Sequence, residues 1–268
     1  MMLSGDAIFD FIKKSKNELW WPGLSDAIVS NGSKQYSTAS EISGETLEPK
    51  LTIQIQSLPG AKLEFLHEAH AKIFLQQKVN QVSIDQFSSP ETLKRIESAV
   101  SLIDISPTLK STITTFVRSI HVIDAKPGYD VSFTDPGLAF SIFVSVPFDN
   151  NNSELRLAES IIHEAMHLQL SALESKLTLV NNKNSKFYSP WKKMLRPVSG
   201  IMHALYVFSC IRQWLELIKL NNSGHVYALT RIREIREELE LLDYQCCYDS
   251  LTDRGAFIFE KMIEELRR

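Results

Sequence analysis

The stretch of this sequence best equipped for chemistry is His163-Glu164-Ala165-Met166-His167. Four residues of helix advance about 400° with roughly 6 Å of rise, so the two imidazoles point the same way, one turn apart. Histidines so placed can bind one divalent metal, and Glu164 beside them can orient a water or a ligand histidine. The three fixed positions arise by chance in on the order of one chain in a hundred, so the motif needs support from its surroundings. Ile161, Ile162, Ala165, Met166 and Leu168 supply it, because imidazoles and a carboxylate in apolar surroundings need partners. A pair of core histidines is the competing reading.

A metal on His163 and His167 also needs a third protein ligand. Glu174 lies seven residues beyond His167, roughly 10 Å along a helix axis, too far for metal bonds of about 2 Å. Leu170 and Leu173 occupy the Gly and His positions of the extended H-E-x-x-H-x-x-G-x-x-H metalloprotease pattern. His203, which follows a loop in the first turn of a long apolar helix, is the better candidate. A core histidine bonded to a backbone carbonyl is its alternative. His67 and His70, spaced i and i+3, read as a helix surface. Cys246 and Cys247 read as a buried or half-buried pair, since neighbours on a helix point about 100° apart.

The elements that must carry these residues follow from patterning. Ser153 to Ser171 reads as the motif helix, with Asn152 or Ser153 as N-cap and Glu154 and Glu159 in its early turns. Phe116 to Ile123 alternates and is β-branched, and Ala139 to Val146 is nearly all apolar, which predicts two strands of a small sheet laid against that helix. Residues 1 to 115 read as mostly helical. Asp6 to Leu19 is broken by Trp20-Trp21-Pro22-Gly23, Asn31 to Ser40 is a polar loop, and Ala61 to Asn80 is amphipathic. Ser89-Pro90 and Ser106-Pro107 open two more helices. After the motif helix come a stretch dense in aromatics and Pro (186–197) and an apolar helix from Ile201 to Leu220. A charge-laced helix from Val226 to Gln245 follows, then a last one, Arg254 to Arg268, capped by Asp253. The expected fold class is mainly α with a small β-sheet (α+β), a zincin-like motif helix packed against a short sheet. One domain is expected across 1–268, with a helical N-terminal half (1–115) and a metal-binding catalytic half (116–268).

Composition narrows the partners. With 268 residues, 44% hydrophobic and 23% charged, the chain is an ordinary soluble globular one. A net charge of −3 and a pI near 6.2 argue against nucleic acid or anionic membrane as a partner. No apolar run reaches the length of a membrane span, and Met1 to Asp10 lacks the features of a signal peptide. Three cysteines, two of them adjacent, do not describe a disulfide framework, so a cytoplasmic home is expected. The oligomeric state stays open.

Three stretches together resemble one family. They are Ser132-Phe133-Thr134-Asp135-Pro136-Gly137, Ala158 to Leu173, and Phe187-Tyr188-Ser189-Pro190-Trp191 through Arg196-Pro197-Val198-Ser199-Gly200-Ile201-Met202-His203. The resemblance is to the H-E-x-x-H proteins of biosynthetic clusters for ribosomally made, modified peptides, and it covers roughly residues 115 to 220. It implies an oxidoreductase: an iron(II), 2-oxoglutarate-dependent dioxygenase that hydroxylates a β-carbon in a precursor peptide, and not a protease. On that reading His163, His167 and His203 hold Fe(II). Arg196 holds the distal carboxylate of 2-oxoglutarate with a two-point fork, and Tyr188 and Ser189 add hydroxyl donors. Without the resemblance, Arg196 reads more readily as a surface Arg before a Pro. Three histidines depart from the commonest triad of two histidines and a carboxylate, which leaves Glu164 open as a ligand or as a neighbour of the ligands. The alternative is a zinc metallopeptidase with Glu164 as general base. A third possibility is a non-catalytic peptide-binding protein whose metal is structural or lost.

Overall fold

The computed structural model describes residues 4–15, 18–24, 49–126, 128–135, 138, 140–149, 151–182, 184–221 and 224–268. In chain order it runs α1 (Gly5–Lys14), β1 (Leu51–Gln54), β2 (Lys62–Phe65), α2 (Ala71–Gln77), α3 (Ile84–Phe87), α4 (Pro90–Ile103) and α5 (Pro107–Phe116). Next come β3 (Ser119–Ile123), β4 (Ser132–Phe133), β5 (Ser141–Ser145) and the motif helix α6 (Ser153–Glu174). The chain ends with β6 (Lys186–Ser189), β7 (Met194–Pro197), α7 (Val198–Leu220), α8 (His225–Glu240) and α9 (Asp253–Arg267). The fold is mainly α-helical with a small mixed sheet, as the patterning predicts. Both Ser-Pro steps start helices as expected. Ser89 accepts from Thr92 N and Ser106 from Leu109 N, and the proline after each occupies a position that needs no N–H donor. The polar stretch Asn31 to Ser40 lies outside the described residues.

Contacts group the chain into two compact units, Val29–Leu168 and Met1–Ile28 with Gln169–Arg268. Their bounds differ from those of the expected halves, 1–115 and 116–268, because strand pairing runs across residue 115 within Val29–Leu168.

In the unit Val29–Leu168 one five-stranded sheet has the order β1-β2-β3-β5-β4. β2, β3 and β5 run parallel, while β1 and β4 are antiparallel edges. The helix expected over Ala61 to Asn80 is corrected: Lys62–Phe65 is a strand, a 3₁₀ turn covers Glu68–His70, and only Ala71–Gln77 is α-helical. Lys62 to Phe65 also fits a two-residue period, and pairing with both β1 and β3 decides between the two. The strand expected from Phe116 begins at Ser119 instead. Thr112, Ile113 and Phe116 form a buried helical face, and the bond from Val117 N to Ile113 O (2.8 Å) closes that helix. The second strand starts at Ser141, after Phe140 takes a left-handed φ of 58°.

Residues paired across a ladder share a face, so His121, Phe143 and Phe133 lie on one side and Val122, Val144 and Ser132 on the other. The first side is an aromatic stack. Phe133 and Phe143 are 4.5 Å apart at 6°, and His121 and Phe143 are 4.6 Å apart at 30°. His121 is fully buried with Nδ1 on Glu64 O (2.9 Å), and burial pushes its pKa down to about 4, so the ring is neutral.

In the other unit α7 carries a broad apolar surface that includes Ile201, Leu205, Tyr206, Ile211 and Trp214, all fully buried. The N-terminal segment docks on it. Trp21 stacks on Tyr206 at 4.9 Å, Tyr206 OH donates to Leu19 O (3.0 Å), and Leu19 N donates to Gln213 Oε1 (3.1 Å). Gln169, at the end of α6, donates to Trp20 O at 2.7 Å. Helix α9 starts one residue before the expected Arg254 and takes its cap from Thr252. The aromatic stretch 186–197 folds as the antiparallel hairpin β6–β7. No described helix is long and apolar enough to cross a membrane.

Candidate metal centre

Helix α6 buries Ile161, Ile162, Ala165, Met166 and Leu170 completely and carries His163 and His167 at the margin of that surface. Their Nε2 atoms are 3.1 Å apart, and the rings meet edge to face. That spacing suits an N–H···N hydrogen bond. It equally suits two adjacent ligands of one metal, because bonds of about 2.1 Å place nitrogens 3.1 Å apart at an angle of about 95°. The distance is therefore compatible with one divalent ion shared by the pair.

Glu164 is only 2% exposed, and its Oε1 is 3.9 Å from His163 Nε2. At that distance the oxygen is too far from the nitrogen to be its neighbour on an octahedral metal, where about 3 Å is needed. It is well placed to hydrogen-bond something held by the pair. Ser132 Oγ donates to the same Oε1 at 2.7 Å. Ser132 opens one of the stretches that carry the family resemblance, but sequence alone gives it no role. The contact needs the fold, since 32 residues separate the two.

Several contacts hold Ser132 there. β4 pairs with β5, Val131 N donates to Ser145 Oγ (2.9 Å), and Ser145 N donates to Val131 O (2.8 Å). Arg156 of α6 forks onto both oxygens of Asp130 (2.7 Å each) and also bonds Asp149 at 2.7 and 2.9 Å. The Arg156 hydrogen bonds hold the Asp149 carboxyl below the usual carboxylate range. Ser153 spends its hydroxyl on Arg95 (2.6 Å) and Glu154 (3.0 Å). Asn152 O accepts the bond from Arg156 N at 3.0 Å.

In the other unit, His203 Nε2 is 3.0 Å from Glu174 Oε2. The residue set aside on helix rise is thus the partner of the expected third ligand, in place of a backbone carbonyl. A carboxylate on one ring nitrogen is how metal-binding imidazoles are commonly oriented. It also takes the Nε2 of His203, the nitrogen that His163 and His167 present to each other. Among the described residues, no group of three or more His, Cys, Asp or Glu side chains could hold a metal ion.

Arg196 pairs with Phe187 across the hairpin and lies against Gly200 in the first turn of α7. A Cβ at Gly200 would lie 3.1 Å from Arg196 Nε and 3.3 Å from Cζ and Nη2. Among the described residues the guanidinium has no hydrogen-bond or ion-pair partner. Ser189 shares its hairpin face, is 1% exposed, and has an Oγ without a hydrogen-bond partner among the described residues. Tyr188 points to the opposite face and is 47% exposed, so the hairpin does not bring it to Arg196. Arg212, another cation of this unit, is buried against Glu265 at 3.1 Å. Cys210, Cys246 and Cys247 are all free thiols. Comparison with known protein families and with curated proteins gives no match.

Proposed function

We propose that the chain is an iron(II)/2-oxoglutarate-dependent oxygenase that hydroxylates a side-chain β-carbon of a ribosomally made precursor peptide in the cytoplasm. The observation that carries this reading is the His163–His167 pair, with its 3.1 Å Nε2 spacing and a buried carboxylate alongside. Iron with bound 2-oxoglutarate and O₂ supplies the oxidising power, converting C–H to C–OH and releasing succinate and CO₂. His163 and His167 hold the metal, and Glu164 hydrogen-bonds what they hold. Arg196 supplies the cation for the distal carboxylate, which its lack of a partner among the described residues suits. Ser189 offers a hydroxyl on the same hairpin face, while Tyr188 lies on the opposite face of that hairpin. His203, with Nε2 on Glu174, is the residue whose substitution tests the third ligand position.

The experiment is mass spectrometry of a neighbouring precursor peptide incubated with iron(II), 2-oxoglutarate and O₂, with succinate measured alongside. A gain of one oxygen with matching succinate supports the proposal. Arg196→Met should weaken 2-oxoglutarate binding by about ten- to a hundredfold, less than a fully buried pair because Arg196 is half-buried. A zinc metallopeptidase is the second reading, favoured by the Glu164 carboxylate at 3.9 Å from His163 Nε2, where a general base would stand. Cleavage of the peptide by the zinc-loaded protein, with no succinate, would establish that reading instead.

A further inference from the structure

We infer that Ser132 is a positioning residue for Glu164, a latch that fixes the carboxylate towards the histidine pair. The inference rests on the metal reading of His163 and His167 and holds whether the reaction is oxidative or hydrolytic. A glutamate has three side-chain torsions, and in a helix one turn wide it can reach several neighbours. Glu164 is buried, so a wandering carboxylate would lose its hydrogen bonds, and a fixed one needs a donor that is itself fixed. Ser132 meets that condition.

The short strand β4 is held out of proportion to its two residues. On its inner side Phe133 stacks on Phe143. Its backbone pairs with β5, and the residue before it, Val131, is bound through both N and O to Ser145. Asp130 is gripped at both oxygens by Arg156, which stands on α6 itself, two turns before Glu164. The helix that carries Glu164 thus also anchors the strand that carries its latch. From this strand Ser132 Oγ donates to Glu164 Oε1 at 2.7 Å. The Ser-Phe dipeptide divides the labour: the serine faces the helix and the phenylalanine faces the aromatic stack.

The test is cobalt(II) binding, followed by absorbance titration of the full chain, for wild type, Ser132→Ala, Ser132→Thr, Glu164→Gln and the double variant Ser132→Ala/Glu164→Gln. Partners of this kind commonly affect metal affinity by 10–100-fold. Ser132→Ala should weaken cobalt(II) binding by about tenfold, and Ser132→Thr, which keeps the hydroxyl, should recover most of it. The double variant should bind no worse than Glu164→Gln, because a latch matters only while there is something to hold. Ser132→Ala equal to wild type, or losses that simply add, would overturn the role of Ser132 alone. Wild type that binds no cobalt(II) would overturn the metal reading, and this inference with it. Should Ser132→Ala fail to fold by circular dichroism, the Ser132→Thr and Ser132→Cys pair decides, since only the former retains a strong donor.

Discussion

A Cβ at Gly200 would crowd the Arg196 guanidinium, so Gly200→Ala is the smallest change that moves the proposed carboxylate-binding cation. Alanine is favoured over glycine in a helix by about 0.5–1 kcal/mol, which should raise the unfolding midpoint slightly. Affinity for 2-oxoglutarate should instead fall about tenfold as Arg196 is displaced. Calorimetric titration beside thermal unfolding checks both, and unchanged affinity would separate Arg196 from the site. His121 gives the pH prediction. Its pKa is about 4 when folded, against about 6.5 in the unfolded chain. Between those values the unfolded chain takes up a proton that the folded one refuses. Stability is therefore full above pH 6.5 and is lost as pH falls towards 4, by about 3 kcal/mol in all. His121→Asn, which keeps a donor for Glu64 O, should flatten that slope in urea unfolding at pH 7.5 and 4.5. At this scale the sequence was legible where the residues stand on one element, as for the facing pair His163 and His167. Ser132 on Glu164 and Glu174 on His203 bridge 32 and 29 residues, and no local pattern encodes such a distance.

Elements that rest on local signals were readable, and those that rest on distant pairing were not. Ser89-Pro90 and Ser106-Pro107 start helices by caps within three residues. Lys62–Phe65 satisfies helical spacing and strand alternation at once, and β1 and β3 choose between them from outside the segment. The start of α9 shows how tightly an element can be placed. A Cβ at Gly255 would lie 1.9 Å from Leu179 O and 2.9 Å from Leu179 C, both backbone atoms that cannot swing aside. Gly255→Ala should therefore destabilise by about 1–3 kcal/mol or more, despite the better helix propensity of alanine. Urea unfolding of Gly255→Ala beside Gly200→Ala should give shifts of opposite sign. A stabilised Gly255→Ala would mean that α9 does not approach Leu179 so closely.

At the scale of the whole molecule, composition changes near residue 115 while strand pairing does not: β2 and β3 share one sheet across it. The N-terminal segment belongs instead with the C-terminal helices. Trp21, 1% exposed and stacked on Tyr206, is its main apolar anchor. Trp21→Ala should cost about 3–5 kcal/mol and free the segment to proteolysis, while the sheet strands β1 to β5 stay protected. Mass spectrometry of limited-proteolysis fragments would show it, and an unchanged digestion pattern would deny the anchor. This threading also sets an order of events during synthesis. At about 5–20 residues per second, the first 28 residues wait roughly 7–28 seconds while the 140 residues from 29 to 168 are made. Throughout that interval Trp21 lacks Tyr206, the ring it will stack on, and it is the natural target of a chaperone that recognises emerging aromatic chain. The stretch from Val29 to Leu168, by contrast, has every strand of its sheet in hand once Leu168 is made. His163 and His167 are thus joined to their finished half while the ribosome still holds the rest.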